Sequence, residues 1–171
     1  MYLSSSNIAE TAYGEVEYSI KGEAPYVLWL HGTPGCHDGV YGESDRFVNR
    51  GFGVIAPSRP GYGRSSTSEL YPDQADACAA LLTTLKVDKV VVYAVSGGGP
   101  CAIHFAARHP EKTLGLILEA GFTGDFNDPR QYAWHSCIFR AFTRSPCTAR
   151  FVGWLTKQFP YFFYEKFILP D

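Results

Sequence analysis

The sequence predicts an α/β fold, a mostly parallel sheet of about six strands with helices on both faces, and three observations carry that expectation. Short β-branched and apolar runs alternate with segments of helical periodicity between residues 25 and 120. The runs are apolar throughout rather than alternating, as in strands covered on both faces. The composition, 171 residues with 46% apolar and 19% charged side chains, suits one globular domain and excludes disordered, collagen-like and coiled-coil chains.

Residues 13–20, YGEVEYSI, alternate loosely and stop at Lys21-Gly22-Glu23, which reads as a strand of a leading hairpin. YVLWL then follows Pro25, five apolar residues bounded by Gly32, and reads as a buried strand. GVYGESDRFVNRGF, residues 39–52, ends at Gly51 like the C-cap of a short helix, and GVIAPS supplies the next buried strand. Residues 73–85 place Ala, Leu and Cys at helical spacing, after which VVVYAV is β-branched and apolar. From Pro100, CAIHFAARH reads as a helix and LGLILEA as a closing buried strand.

Beyond Ala120 the texture changes. GFTGDFNDPR is loop-like, and twelve of the 26 aromatic residues fall between Gln131 and Asp171, in segments such as CIFRAFTRS and ARFVGWLTKQF with apolar residues three and four apart. These read as short amphipathic helices, whose aromatic face packs on the rest of the domain, covers an apolar cleft as a lid, or lies on a membrane surface. The expected division is a core over 1–124 and a partial helical lid over 125–171.

Fifteen basic against seventeen acidic side chains give no electrostatic reason to expect nucleic acid or an anionic membrane. The five cysteines, Cys36, Cys78, Cys101, Cys137 and Cys147, show neither a disulfide framework nor a zinc pattern, so reduced thiols and no metal are expected. No signal peptide or membrane span is legible, which makes a cytoplasmic location the expectation, with no oligomeric state implied.

Three motifs carry chemistry. In VVVYAVSGGGP, Ser96 stands between a buried strand and a helix, with Ala94 two before it and Gly98 two after it. A sharp strand-to-helix turn needs such small neighbours, and it aims the free amides at the helix start, Gly97 among them, at a developing oxyanion beside Ser96 Oγ. The same pattern also suits a purely structural strand-helix junction. HGTPG follows the first buried strand at the same edge of the sheet, where ligands of open parallel sheets bind, and frees the Thr33 amide as a second donor. SRPGYGRSS, residues 58–66, forms a rigid turn at that edge after the next strand.

HGTPG, SRPGYGRSS and a small-x-Ser-x-Gly elbow, in this order, resemble the α/β-hydrolase superfamily, especially its esterase, epoxide-hydrolase and proline-iminopeptidase-like branch, over about residues 12 to 121. The resemblance implies Ser96 as nucleophile, Thr33 and Gly97 as oxyanion-hole amides, His31 as a structural residue of the oxyanion turn, a helical cap after the sixth strand, and no cofactor. A serine at the elbow is similar to esterases, lipases and peptidases, whereas dehalogenases and epoxide hydrolases place Asp there. The implied reaction is cleavage of an ester or amide of a small apolar substrate through an acyl-enzyme. The alternative is a non-catalytic binding module of the same fold.

A serine nucleophile needs a base within about 3 Å. His104 lies eight residues along the helix from Ser96, about 12 Å at 1.5 Å per residue, and His109 about 20 Å, so neither reaches it. His31 and His37 precede the elbow, and His135 is the one histidine after it with unconstrained reach. Glu119, at the end of the sixth strand, is the candidate acid, its plainer role being a strand-end carboxylate bonded to loop amides. Asp125 and Asp128 read as Asx-turn residues, and Asp73 and Asp76 as helix-start acids. In the family's order the acid and the histidine come later than the cap begins, so the expectation is a truncated hydrolase, nearly inactive as given, with LGLILEA left as an apolar sheet edge.

Overall fold

The structure, a computed structural model, describes residues 6–40, 43–68 and 70–121. β1 (Asn7–Thr11) and β2 (Gly14–Lys21) form an antiparallel hairpin. β3 (Tyr26–Leu30), β4 (Gly53–Pro57), β5 (Val90–Val95) and β6 (Thr113–Glu119) complete a six-stranded sheet in the order β1-β2-β4-β3-β5-β6. β2 joins β4 antiparallel, and the three pairings from β4 to β6 are parallel. Three helices cross over between them: α1 (Ser44–Val48), α2 (Tyr71–Thr84) and α3 (Gly99–Arg108), with single 3-10 turns at His37–Val40, Ser96–Gly98 and Pro110–Lys112.

The continuous apolar runs are buried on both faces because successive residues of a strand point to opposite sides. Leu28, Leu30, Ile55, Val92 and Ala94 pack under α2 and α3 against Leu81, Leu82 and Phe105. Val27, Trp29, Val54, Ala56 and Tyr93 pack on the other face with Val40. Both α1 and α2 end in a left-handed residue whose following amide reaches back five residues. Gly51 (φ +82°) precedes Phe52 N–H bonded to Phe47 O at 3.1 Å, and Lys86 (φ +56°) precedes Val87 N–H bonded to Leu82 O at 2.9 Å.

Two readings of the sequence change here. The hairpin partner β1 carries Asn7, Glu10 and Thr11 rather than an apolar run, so composition hid it; ladder bonds to β2 place it instead. Asp76 is not a helix-start acid. The helix begins at Tyr71, which moves Asp76 to a buried position inside α2, where it accepts from Arg108 Nε (2.9 Å) and Nη2 (2.7 Å) on α3 and contacts His109 Nε2 (2.8 Å). β6 is the outer strand of the described sheet, with Leu114, Leu116 and Ile117 exposed. The segment expected to form a helical lid lies outside the described residues.

The register decides where the motifs meet. Leu30 pairs with Ala94, and Val95 with Glu119, so the chain leaves β3, β5 and β6 at one edge and delivers His31, Ser96 and Glu119 there together.

Candidate active site

Ser96 follows β5 directly, with φ +48°, a left-handed conformation that costs a non-glycine residue roughly 1–3 kcal/mol. The backbone reverses here and enters the 3-10 turn that leads into α3, which leaves Ser96 exposed while Ala94 and Gly98 are buried. Gly98 is required sterically. A Cβ there would stand 2.6 Å from the Leu30 carbonyl oxygen and 2.8 Å from that of His31, both backbone atoms that cannot move aside.

The turn after β3 folds against this elbow. A Cβ on Gly32 would lie 3.3 Å from Ser96 Cβ, and one on Gly97 would lie 3.3 Å from the Thr33 nitrogen and 2.6 Å from Thr33 Oγ1. The structure therefore brings together Ser96, Gly97, Gly32 and Thr33, with the two amides anticipated as an oxyanion hole on adjoining segments. Beside them opens a cleft of about 270 Å³ lined by Trp29, Gly32, Pro34, Gly39, Val95 and Glu119 among others. Trp29 is buried, and its Nε1–H has no hydrogen-bond partner among the described residues.

Beneath the turn lies Arg59, whose side chain is 1% exposed. Its Nε donates to His31 O (3.1 Å), Nη1 to Gln74 Oε1 (3.3 Å) and Nη2 to Thr33 Oγ1 (2.9 Å) and Gly32 O (3.4 Å), and its guanidinium carbon stands 4.7 Å over the Tyr62 ring. Tyr62 Oη shares a 3.0 Å bond with Thr33 Oγ1. Sequence reasoning treated SRPGYGRSS as a rigid turn and missed Arg59 and Tyr62 as its working parts; an Arg two residues past a buried strand was the signal.

A fold whose elbow, glycine turn and cleft meet in this way can be compared with known proteins. The profile of the alpha/beta hydrolase fold family matches residues 25–141. The chain belongs to the alpha/beta hydrolase fold family. It is 36% identical over 134 residues to the uncharacterized hydrolase YcgS of Bacillus subtilis, covering 74% of this chain and 46% of that protein. It is 37% identical over 99 residues to the pimeloyl-(acyl-carrier protein) methyl ester esterase of Chromobacterium violaceum, covering 58% of this chain and 38% of that protein. Among solved structures, an alpha/beta hydrolase fold protein from Nakamurella multipartita superposes with a TM-score of 0.66 at 30% identity, over 83% of this chain and 53% of that one. The chain thus spans less than half the length of these curated relatives.

The four described histidines are each placed away from Ser96 Oγ or tied elsewhere. His31 is buried, accepts the Arg59 amide N–H at Nε2 (3.0 Å) and donates from Nδ1 to Gly32 O (2.7 Å), so both ring nitrogens are used. Burial, with the Arg59 charge second, pushes it down to about 4 and keeps it neutral. His37 is buried with Nε2 3.6 Å from Glu17 Oε1. His109 contacts Asp76 at the far end of α3, and His104 lies on α3 itself. His135, Asp125 and Asp128 lie outside the described residues.

Glu119 reaches the cleft, and among the described residues its carboxylate accepts no loop amide. Its half-exposed carboxylate stands 3.7 Å from Arg46 Nη2 of α1, which also pairs with Glu43 and donates to Tyr93 Oη (3.3 Å). In the same turn, burial of Cys36, with the Asp38 contact second, pushes its thiol up to about 11 and disfavours the thiolate.

Behind the site, Glu17 of β2 fastens the second turn. It accepts from the Arg64 amide (3.0 Å) and Nε (2.9 Å), Ser6 Oγ (2.8 Å) and Ser58 Oγ (3.0 Å). Burial alone would raise this carboxyl, but those donors outweigh it and hold it at about 2.

Proposed function

We propose that this chain carries the nucleophile and oxyanion hole of a serine hydrolase that cleaves an ester or amide of a small apolar substrate through an acyl-enzyme on Ser96. The observation that carries the reading is the contact of the strained Ser96 elbow with the Gly32-Thr33 turn. In the first step Ser96 Oγ bonds to the substrate carbonyl carbon, its proton passes to a base, and the carbonyl electron pair moves onto oxygen. The Thr33 and Gly97 amides then donate to that oxyanion. Collapse expels the alcohol or amine with the proton, and water repeats the sequence on the acyl-enzyme. The cleft, close to the lower end of the roughly 300–1,000 Å³ of small-molecule sites and lined by Trp29, Pro34 and Val95, supports a small apolar group as the substrate portion held here.

Glu119, at the cleft and one strand from Ser96, is the acid candidate within the described residues; the base is sought in His135 or in the length that the relatives have and this chain does not match. Because His31, His37 and His109 are engaged elsewhere, slow turnover by the 171-residue chain is expected. A binding module that keeps the cleft without the chemistry is the second reading, favoured by the engagement of His31, His37 and His109 elsewhere. Labelling with a fluorophosphonate separates the two. A serine hydrolase site is labelled, slowly without a base, and Ser96→Ala abolishes it; no labelling above the Ser96→Ala background would favour the binding module. Release of p-nitrophenol from p-nitrophenyl acetate in a Ser96-dependent burst would overturn the expectation of slow turnover.

A further inference from the structure

We propose that Arg59 and His31 act as positioning residues that polarise the Gly32–Thr33 peptide, making the Thr33 amide a stronger donor toward the oxyanion; this rests on the serine-hydrolase reading of Ser96. The atoms form one relay. The Arg59 amide N–H occupies His31 Nε2 at 3.0 Å, which puts the ring proton on Nδ1, and Nδ1–H donates to Gly32 O at 2.7 Å. The same oxygen also faces Arg59 Nη2 at 3.4 Å, whose stronger bond goes to Thr33 Oγ1. Gly32 O and Thr33 N–H are the two ends of a single resonant peptide unit. Withdrawing electron density at the carbonyl leaves the amide hydrogen more positive, as in any hydrogen-bonded chain.

The charge behind the relay is what sets it apart from ordinary turn chemistry. Among the described residues Arg59 is bonded to neutral acceptors, His31 O, Gly32 O, Thr33 Oγ1 and Gln74 Oε1, and to no carboxylate. A buried cation costs desolvation and is ordinarily compensated by an anion. Here its field is free to act on the adjoining peptide, in a buried setting where such fields are strong. Thr33 Oγ1, held by both Arg59 and Tyr62 Oη, fixes the direction in which the amide points.

The test reads the Thr33 amide directly, in the ¹⁵N-labelled 171-residue chain. Lowering the pH from 7 to 3.5 protonates His31, which must then release the Arg59 amide from Nε2; the groups facing its ring are Arg59, His37, Asp38 and Tyr62. The carboxylates of Glu17 and Asp76, held at about 2, stay ionised over this range. Nδ1–H of the charged ring remains on Gly32 O as a stronger donor, so we expect the Thr33 amide proton to move downfield with the same midpoint as the His31 ring protons, near pH 4. A titrating His31 with an unmoved Thr33 overturns the relay.

At pH 7, Arg59→Met should shift Thr33 upfield and Arg59→Lys, which keeps the charge, should shift it less; equal shifts, or none, overturn the part played by charge. Where Ser96 is labelled by a fluorophosphonate, Arg59→Met should slow labelling by about 2- to 10-fold, the fraction of an oxyanion donor that polarisation supplies. Asp76→Asn, destabilised at the far end of α3, should label at the parental rate while folded. A Thr33 amide that responds as expected in a chain that is never labelled would support the relay and sink the serine-hydrolase reading, so the two failures are distinct.

Discussion

At the end of α3 that begins beyond Ser96, the buried charge is Arg59, and the groups it bonds are neutral; at the far end it is Asp76, and two of its partners are Arg108 and His109. Asp76 is conventional in energy. The Arg108 bonds, partly offset by burial and assisted by His109, draw its carboxyl down to about 2, so ionisation and folding reinforce each other. Among the described residues Arg59 gains no such partner and is held by bonds to neutral acceptors instead. The comparison separates a charge paired with opposite charge from a charge set against the Gly32–Thr33 peptide. Glu17 belongs with Asp76, since the donors around it also favour its ionised form.

The sharpest way to break the comparison is at the steric pivot of the Ser96 end. Gly98→Ala drives a methyl group against the Leu30 and His31 carbonyls, and we expect a loss of about 3 kcal/mol in urea unfolding together with loss of Ser96 labelling. An unchanged midpoint would mean that the elbow tolerates a side chain and is looser than its contacts imply.

Acid separates the two ends next. His31 has a folded value near 4 against 6.5 unfolded, so the unfolded chain takes up the proton first; its stabilisation is complete above pH 6.5 and is lost as pH falls to about 4, roughly 3 kcal/mol in all. Glu17 and Asp76 have folded values near 2 against 4.5 and 3.8, so their stabilisation is complete above about pH 4.5 and disappears as pH falls through 2. Urea midpoints measured from pH 7 to pH 2 should therefore fall in two stages. The first should be absent in His31→Asn, and a single stage in the parent protein would sink the assignment.

Asp76→Asn should cost about 2 kcal/mol at pH 7, the free energy equivalent of its lowered value, and should flatten the second stage without touching the first. The smallest expected change is Tyr62→Phe. Removing one hydroxyl bond from Thr33 Oγ1, which keeps its Arg59 bond, should cost about 1 kcal/mol in thermal or urea unfolding. A much larger loss would place Tyr62, rather than Arg59, as the principal support of the turn.

Much of the frame was legible in the residues. The apolar runs YVLWL, GVIAP and VVVYAV became β3, β4 and β5, because a strand buried on both faces has no polar position to reveal by alternation. Ser96 was legible because small neighbours mark the one kind of turn that needs them. The polar strand β1, the inward turn of Asp76 and the role of Arg59 were not legible. Each depends on a partner distant in sequence: β2 for the first, Arg108 for the second, and the carbonyls of His31 and Gly32 for the third.

The sequence by itself determined the order of strands and helices, the family and the serine at the elbow, since periodicity, turn chemistry and motif spacing are local properties. Tertiary structure alone decided that Gly97 abuts Thr33, that both ring nitrogens of His31 are engaged, and that a cation bonded to no carboxylate among the described residues lies under the Gly32–Thr33 turn. These follow from register and burial, which set distances and dielectric between residues that the chain keeps far apart.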